Sequence, residues 1–351
     1  MTTVDPSRWR TQVRATGVDH ELGPRQGAAD TGKGLGWPPM PWLRLPLVDR
    51  AATEGGAAGT DQLHESPRRE SISEHPSRPS APIPVPKTTL KRILLTGDVH
   101  GNTDWVLHHI LPQARRHGCQ LVLQLGDFGI WPGPEGQRYL GALSRQAKGA
   151  RIPIWFIDGN HEDFDQLDAL PLDARGRRPV RDHITHLPRG YRWEWSEPTL
   201  LACGGASSID VADRLSGRSW WPQEAITDQD VARCSEGGRV DILFTHDIQA
   251  EVPLTDPLLE PLLPPSVADA LSRNRQRLQR ITEVVRPKLQ VHGHWHLPYD
   301  RTIIRSSDKE QVRIVSLNSD PSFAVTADHH CAVLDLDVRA LSVPHAVQVI
   351  D

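Results

Sequence analysis

Short apolar runs alternate with longer amphipathic segments from about residue 90 to the end of the chain. Five runs stand out, each three to five residues long. They are Arg92–Thr96 (RILLT), Leu121–Leu125 (LVLQL), Ile154–Ile157 (IWFI), residues 240–244 (VDILF) and residues 289–291 (LQV). Short, mostly aliphatic runs are typical of strands that are buried on both faces. The pattern therefore predicts a group of central β-strands.

Three segments between these runs have the spacing of helices, at about residues 104–117, 135–149 and 266–286. The last is the clearest, because five of its apolar residues fall on one helical face. These residues are Val267, Leu271, Leu278, Ile281 and Val285. Ser266 with Asp269 resembles a capping box that would start this helix. Pro112 should break or kink the first helix.

A second group of strands follows in hairpin-like succession. Its members are residues 183–187, 191–195, 199–203, 301–305, 312–316 and 331–336. Two groups of strands with helices between them indicate an α/β domain with four layers. We predict an α/β/β/α sandwich of two mixed β-sheets flanked by helices, and we assign it to residues 89–351.

The first 88 residues differ from the rest in composition. They are rich in proline, glycine and serine and show no sustained periodicity, so they bury too little apolar surface to offset the entropy of ordering. We expect a disordered extension over residues 1–88. Both methionines of the chain, Met1 and Met40, lie in it. A second hypothesis is that it is a gene-model artefact and that translation starts near residues 85–90, which mass spectrometry of the native N-terminus would test.

Composition and charge disfavour several classes of protein. The chain has 40 lysines and arginines against 44 acidic residues, and a net charge of −4 disfavours a protein that coats nucleic acid. No apolar run reaches the roughly 18 residues of a membrane-spanning helix, and no secretory signal is recognisable at the N-terminus. The four cysteines form no CxxC pair, which argues against a disulfide framework and a cysteine zinc site. We expect a cytoplasmic protein with no membrane partner.

Each of the five central strands is followed at once by side chains that bind metals. The segments are GDVHGN at 97–102, GDFG at 126–129, DGNHE at 158–162, THD at 245–247 and HGHWH at 292–296. Sites in open α/β sheets lie beyond the carboxyl ends of the strands, so these loops are expected to converge. Four of the five segments contain glycine, which permits close approach of the backbone to a crowded site.

We take seven side chains in these loops as candidate ligands, all of them nitrogen or oxygen donors and none of them sulfur. They are Asp98, His100, Asp127, Asn160, His246, His294 and His296. Seven ligands are too many for one tetrahedral ion and suit two divalent cations, about 3.5–4 Å apart, that share a carboxylate. Such cations carry more charge than two carboxylates neutralise, which favours an anionic substrate such as a phosphate ester. The ligands accept Mn, Fe, Zn, Co or Ni and do not fix the metal.

The motifs GDVHGN, GDFG, GNHE, THD and GHWH, in this order over residues 97–296, resemble those of the calcineurin-like metallophosphoesterase superfamily. One motif alone would be a weak signal, whereas five in order, each after a predicted strand, are a strong one. The segment GGASSID at 204–210, with Arg214 and WWP at 220–222, is similar to a bacterial branch of that superfamily.

The resemblance implies a role for each matching residue. Asp98, His100 and His296 would hold one cation, Asn160, His246 and His294 the other, and Asp127 would bridge the two. A bridging hydroxide would attack phosphorus in line. His161 would be catalytic beside Asp127: it would stabilise the transition state or protonate the leaving oxygen, oriented by a neighbouring carboxylate. The second motif continues as GDFGI and departs from the GDxxD of the protein-phosphatase branch, so only the broader superfamily is indicated.

Several neighbours of the motifs have two interpretations each. Asn102 could bind substrate phosphate or cap the helix that follows it. Arg214 and Arg218 could grip a substrate phosphate or form surface ion pairs. Glu162 and Asp247 could orient metal-bound imidazoles or face solvent.

We expect an enzyme that hydrolyses a phosphomonoester or phosphodiester, with a phosphorylated small molecule or a nucleotide as substrate. One alternative is a nuclease or nucleotide phosphodiesterase of the same superfamily. Net charge does not support a nucleic-acid partner. The possibility remains because one helix carries four arginines, at positions 273, 275, 277 and 280. We expect these arginines to form a solvated helix face. Another alternative is a catalytically silent metal-binding scaffold. Loss of catalysis should show as missing ligand residues in the motifs, and none of the expected ligands is missing. The sequence does not indicate an oligomeric state.

Overall fold

Most of the domain predicted from the sequence is covered by the computed structural model, which describes residues 87–88, 90–195, 197–253, 263–322, 324, 328–337 and 339–342. The extension predicted over residues 1–88 lies outside the described residues, except for a two-residue strand at its end, Lys87–Thr88.

The described strands are, in chain order, β1 (Lys87–Thr88), β2 (Arg92–Thr96), β3 (Leu121–Leu125), β4 (Ile154–Ile157), β5 (Arg178–Arg181), β6 (Ile184–His186), β7 (Arg192–Trp195), β8 (Thr199–Cys203), β9 (Ile242–Thr245), β10 (Leu289–His292), β11 (Tyr299–Ile304), β12 (Gln311–Ser316), β13 (Cys331–Asp335) and β14 (Ala340–Ser342). The described α-helices are α1 (Thr103–Trp105), α2 (Leu111–Arg116), α3 (Gly133–Ala150), α4 (Phe164–Asp168), α5 (Asp228–Ser235) and α6 (Pro265–Val285).

The strands form two sheets of seven. The first has the order β1-β7-β8-β9-β10-β12-β11, and the second has the order β14-β13-β2-β3-β4-β6-β5. In each sheet four neighbouring strands run parallel, β8, β9, β10 and β12 in the first and β2, β3, β4 and β6 in the second. Antiparallel pairs, together with a parallel pair of β1 and β7 in the first sheet, complete the two sheets, so both are mixed, as predicted.

The buried side chains fall into layers because alternate residues of a strand face opposite sides of its sheet. In β2, Ile93 and Leu95 belong to the core between the two sheets, which also contains Trp193 of the first sheet. Leu94 of the same strand packs with the apolar face of α3 on the outer side. Leu243 of β9 packs on the other outer side with α5 and α6. The predicted four-layer α/β/β/α architecture is therefore confirmed.

The helices differ from the prediction in their ends. The helix predicted at 266–286 begins one residue earlier, at Pro265, and no side chain caps it, so the predicted capping box of Ser266 and Asp269 is wrong. A capping box does start α5, where Thr227 and Asp230 bond to each other's backbone N–H groups. Neither α5 nor α4 was predicted, because both helices are short and carry few apolar residues.

Pro112 marks a change of winding in the first predicted helix. A π-helical segment, Val106–Ile110, separates α1 from α2, and Pro112 lies in the first turn of α2. The missing N–H of proline is tolerated in the first turn of a helix but not in its interior. The chain stays helical through Pro112, because the residues that join the three segments are all right-handed helical, and a change to π winding takes the place of the predicted break or kink.

The parallel order of the strands places the motif loops on common sheet edges. The strands β2, β3 and β4 are neighbours in one sheet, and β9 and β10 are neighbours in the other. The carboxyl ends of parallel neighbours lie at the same edge, so three motif loops leave one sheet together and two leave the other. Within the part of the chain that the structure describes, no helix has the length and apolar character needed to cross a membrane.

Candidate metal centre

The loops after the five motif strands converge on one cluster of ligands. Asp98, His100 and His296 offer ligand atoms within 4.8 Å of one another, and so do Asp98, Asp127 and His246. These five residues come from four different loops and two sheets. The convergence predicted from the strand ends is thus present in the fold.

Asp98 is the centre of the first group of ligands. Its buried carboxylate lies 2.9 Å from His296 Nε2 and accepts hydrogen bonds from the backbone N–H of His294, at 3.0 and 3.2 Å. The ring centroids of His100 and His296 are 5.2 Å apart. One carboxylate and two imidazoles therefore share a small volume.

The second group consists of Asn160, His246 and His294. His246 Nδ1 lies 2.7 Å from the carbonyl oxygen of Leu125, which can only accept, so Nδ1 carries a proton. His246 Nε2 then faces Asn160 Oδ1 at 3.1 Å, an arrangement that needs a proton or a cation between the two atoms. The ring centroids of His246 and His294 are 4.9 Å apart.

Asp127 lies between the two groups. Its Oδ2 is 3.4 Å from His100 Nε2, and its Oδ1 is 3.4 Å from His246 Nε2. Oδ1 also accepts a hydrogen bond from the backbone N–H of His161 at 2.8 Å. One carboxylate oxygen thus faces each group, which is the arrangement expected of a bridging ligand.

The carboxylates and imidazoles of the cluster stabilise each other's charged forms. Burial alone would raise the pKa of Asp98, but positive charge on His246 and His296 lowers it to about 2. Burial alone would lower the pKa values of His100 and His246, but the nearby carboxylates, Asp127 foremost, raise each to about 10. The two buried carboxylates, Asp98 and Asp127, are therefore stabilised by nearby positive charge, which protonated imidazoles or bound cations can supply.

Several ligands of the cluster have a strained backbone. His100, Asp127, His294 and His296 have positive φ angles, between 42° and 70°. Such a conformation costs a non-glycine residue about 1–3 kcal/mol and is found preferentially at functional sites. Four of the seven predicted ligands therefore share a backbone conformation that is uncommon for residues other than glycine.

Two glycines make room for the two carboxylates. A Cβ atom at Gly159 would overlap Oδ1 of Asp127, and one at Gly293 would overlap Oδ1 of Asp98. Neither side chain could stay in place beside an alanine. These positions explain why glycine adjoins ligands in the GNHE and GHWH motifs.

The residues fit a pair of divalent cations. Among the described residues, His294 Nε2 is buried without a hydrogen-bond partner, and burial lowers the pKa of this imidazole to about 4, so its lone pair is free. The ligand set combines imidazole nitrogen with carboxylate and amide oxygen, which suits divalent transition metals. Asp98, His100, Asp127, Asn160, His246, His294 and His296 together are called the metal centre below.

Asp320 supports the metal centre and was not predicted. It follows β12, and its Oδ2 lies 3.2 Å from His100 Nδ1 while its backbone N–H donates to the carbonyl of Asp98 at 2.8 Å. A carboxylate on the distal nitrogen of a ligand imidazole fixes the ring and its tautomer. The signal in the sequence was weak: an aspartate after a strand, with no glycine or histidine beside it.

Glu162 and Asp247 hold the loops instead of orienting imidazoles or facing solvent. Both are fully buried. Glu162 accepts hydrogen bonds from the backbone N–H groups of residues 128–130. Asp247 accepts from Asn274 Nδ2 at 2.7 Å and from Trp295 Nε1 at 2.9 Å. The two roles predicted for these carboxylates, orienting imidazoles or facing solvent, are therefore replaced by that of holding the loops.

His161 lies beside the metal centre and is not fully covered. Its ring centroid is 5.7 Å from that of His100. Burial lowers its pKa to about 3, although Asp127 opposes this shift. Within the described part of the chain, no carboxylate bonds to its ring, so the orienting carboxylate expected from the resemblance is not found there.

Asn102 caps a helix in the structure. Its Oδ1 accepts from the backbone N–H of Trp105 at 3.0 Å, and its Nδ2 donates to Asp320 Oδ1 at 3.0 Å. The capping interpretation is therefore confirmed, and both ends of the amide are engaged.

The two arginines proposed to bind substrate have different surroundings. The Arg214 guanidinium is buried and donates to the backbone carbonyl of Asn160 at 3.1 Å and to Ser208 Oγ. It adjoins the metal centre, but its partners are protein groups. Arg218 is exposed, and its side chain forms no hydrogen bond or ion pair with any residue of the metal centre.

Fold and site together define a hydrolase of phosphate esters that depends on metal ions. A family model described as calcineurin-like phosphoesterase matches residues 91–298, which is more than half of the 351 residues. The chain therefore belongs to the calcineurin-like phosphoesterase family, as the motifs indicated. A search of curated proteins gives no match.

Two solved structures resemble the chain at low identity. A dimetal phosphatase from Danio rerio is 16% identical, with 71% of this chain and 93% of that chain covered and a TM-score of 0.44. A hypothetical protein from Thermus thermophilus is 15% identical, with 65% of this chain and 75% of that chain covered and a TM-score of 0.33.

Proposed function

We propose that the chain hydrolyses a phosphomonoester or a phosphodiester, with two divalent cations held by the metal centre. The observation that carries the proposal is the placement of Asp127, whose two carboxylate oxygens each lie 3.4 Å from an imidazole of a different ligand group. When bound, a pair of cations lowers the pKa of coordinated water and neutralises charge on the phosphate.

The residues of the chain divide the remaining tasks. Asp98, His100 and His296 would hold one cation, and Asn160, His246 and His294 the other. Asp127 would bridge them and hold the loop of His161 through the backbone N–H. The ring of His161, a residue that is partly exposed, would donate a hydrogen bond to the substrate phosphate or its leaving oxygen.

A small phosphorylated molecule or a nucleotide fits the site better than nucleic acid. Three of the four arginines of α6 lie on the solvated face that was expected, since Arg273 and Arg280 are exposed and Arg277 is partly exposed. Arg275 is buried and donates to backbone carbonyls of residues 248, 249 and 252, whereas Arg277 and Arg280 pair with Asp228. With one arginine buried and two sharing the single carboxylate of Asp228, α6 offers a poor track for backbone phosphates.

Hydrolysis of model esters tests the proposal directly. We expect turnover of p-nitrophenyl phosphate, of bis-p-nitrophenyl phosphate or of both with added Mn²⁺. The rate should fall to background after EDTA and return when Mn²⁺ is restored. Two bound ions per chain without hydrolysis of either ester would contradict the proposal and favour a silent scaffold.

Asp320→Asn is expected to weaken Mn²⁺ binding about 10- to 100-fold, because the amide no longer accepts as a charged group at His100 Nδ1. Isothermal titration with Mn²⁺ measures the change. Asp241→Asn is the matched control, since Asp241 precedes β9 at the end of the strand away from the metal centre and bonds to Thr199 and Lys288. Equal weakening in both variants would show that Asp320 has no particular role at the metal centre.

A further inference from the structure

A buried serine–glutamate pair lies directly behind Asn160. Ser208 follows β8 by five residues, and Glu224 ends a short 3₁₀-helix, Pro222–Glu224. The backbone N–H of Ser208 donates to Glu224 Oε1 at 2.7 Å, and the Ser208 hydroxyl donates to Glu224 Oε2 at 2.7 Å. Asn160 Nδ2 donates to Ser208 Oγ at 3.1 Å.

The protons of this network admit one orientation of the Asn160 amide. A hydroxyl group has one proton and two lone pairs. The proton of Ser208 goes to the Glu224 carboxylate, and the lone pairs accept from Asn160 Nδ2 and from Arg214 Nη1. Ser208 therefore has no proton left for Asn160, so only the amide nitrogen of Asn160 can face it.

The orientation of the Asn160 amide determines which of its atoms faces the metal centre. With Nδ2 held by Ser208, the oxygen of the amide faces His246 Nε2 at 3.1 Å. Only this oxygen can bind a cation, because the amide nitrogen has no free lone pair and carries two hydrogens. A flip of the amide would direct those hydrogens toward the place of a positive charge.

We propose that Ser208 and Glu224 are positioning residues that keep Asn160 Oδ1 directed at the second cation. The inference rests on the proposed function and assigns a task to the segment between β8 and α5. Arg214 completes the network: it fills the second lone pair of Ser208 and donates to the Asn160 carbonyl. These contacts place the Arg214 guanidinium behind the ligand Asn160, which is neither the substrate contact nor the surface ion pair that the sequence left open.

Titration with Mn²⁺ alone tests the inference without an activity assay. It is carried out at pH 8.0, above the value of about 7 to which burial raises the pKa of Glu224, so that the carboxylate is charged. We expect Ser208→Ala to weaken one of the two Mn²⁺ sites about 10- to 100-fold and to leave the other unchanged. Ser207→Ala is the matched control, because this buried neighbour donates to Ala270 O and not to Asn160.

Glu224→Gln tests the direction of the protons at constant side-chain volume. The new amide can donate to Ser208 Oγ, which frees the hydroxyl proton to point at Asn160 and favours the flipped amide. We expect the same Mn²⁺ site to weaken as in Ser208→Ala. Glutamine has nearly the same volume as glutamate, so this variant keeps the packing around position 224. It can therefore test the inference even if Ser208→Ala does not fold.

An Asn160→Asp background separates positioning from a general structural role. A carboxylate presents oxygen in either orientation, so Ser208→Ala should no longer weaken Mn²⁺ binding there. Weakening of equal size in both backgrounds would overturn the inference. So would wild-type affinity in both Ser208→Ala and Glu224→Gln. Failure of the wild-type chain to bind two Mn²⁺ ions would instead overturn the proposed function.

Discussion

Asp127→Asn is expected to lower kcat for p-nitrophenyl ester hydrolysis by about three orders of magnitude or more, and to reduce bound Mn²⁺ below two ions per chain. The carboxylate offers one oxygen to each ligand group, whereas an amide offers one oxygen and a nitrogen that cannot bind a cation. The substitution also removes one of the two buried negative charges of the metal centre. Steady-state kinetics and Mn²⁺ titration on the same preparation measure both effects.

The matched control for this loss is Asp241→Asn, which makes the same chemical change away from the metal centre. It should keep kcat and Mn²⁺ stoichiometry near the wild-type values. A thermal melt of each variant separates loss of ligands from loss of fold. Near wild-type kcat in Asp127→Asn with two ions still bound would refute the bridging role.

His161→Gln is expected to lower kcat about 10²- to 10⁴-fold while both Mn²⁺ ions remain bound. His161 contributes its backbone N–H to Asp127, and this bond survives the substitution, so the ligands stay in place. The lost group is the imidazole ring. Because burial lowers its pKa to about 3, the ring is neutral at pH 7 and acts as an N–H donor and not as a charged acid.

The leaving group distinguishes the two roles that the resemblance implied for His161. If His161 is a neutral donor that stabilises the transition state, His161→Gln should lower kcat by about the same factor for p-nitrophenyl phosphate and for phenyl phosphate. The leaving group of phenyl phosphate is the more basic of the two. A loss confined to phenyl phosphate would point to protonation of the leaving oxygen and contradict the neutral-donor role. His108→Gln, at an exposed histidine of the π-helical segment, should leave kcat unchanged with both esters.

The central strands and the long helices were predictable because their apolar pattern is local. Arg92–Thr96, Leu121–Leu125 and Ile154–Ile157 have the ends read from the apolar runs, and α6 differs by one residue at each end. The edge strands β5 and β14 were missed because they bury few side chains, so their sequences lack a strong apolar period. Their formation depends on the neighbouring strand and not on their own residues.

Candidate ligands could likewise be read from the chain, because each stands directly after a strand with a distinctive type and spacing. Their supporting residues could not be read in this way. Asp320 lies 220 positions from His100, and Ser208 lies 48 from Asn160. Nothing in the local sequence of either residue records which imidazole or amide it will meet.

The amino-acid sequence by itself determined the layered fold, the five strand-end motifs and the residue types suited to divalent cations. Only the tertiary structure decided which oxygen of Asp127 faces which imidazole, that Asp320 orients His100, and that Arg214 is committed to protein partners. The physical reason is the range of the interactions. Apolar periodicity acts over a few neighbouring residues, whereas ligand geometry depends on how two sheets place loops that are far apart along the chain.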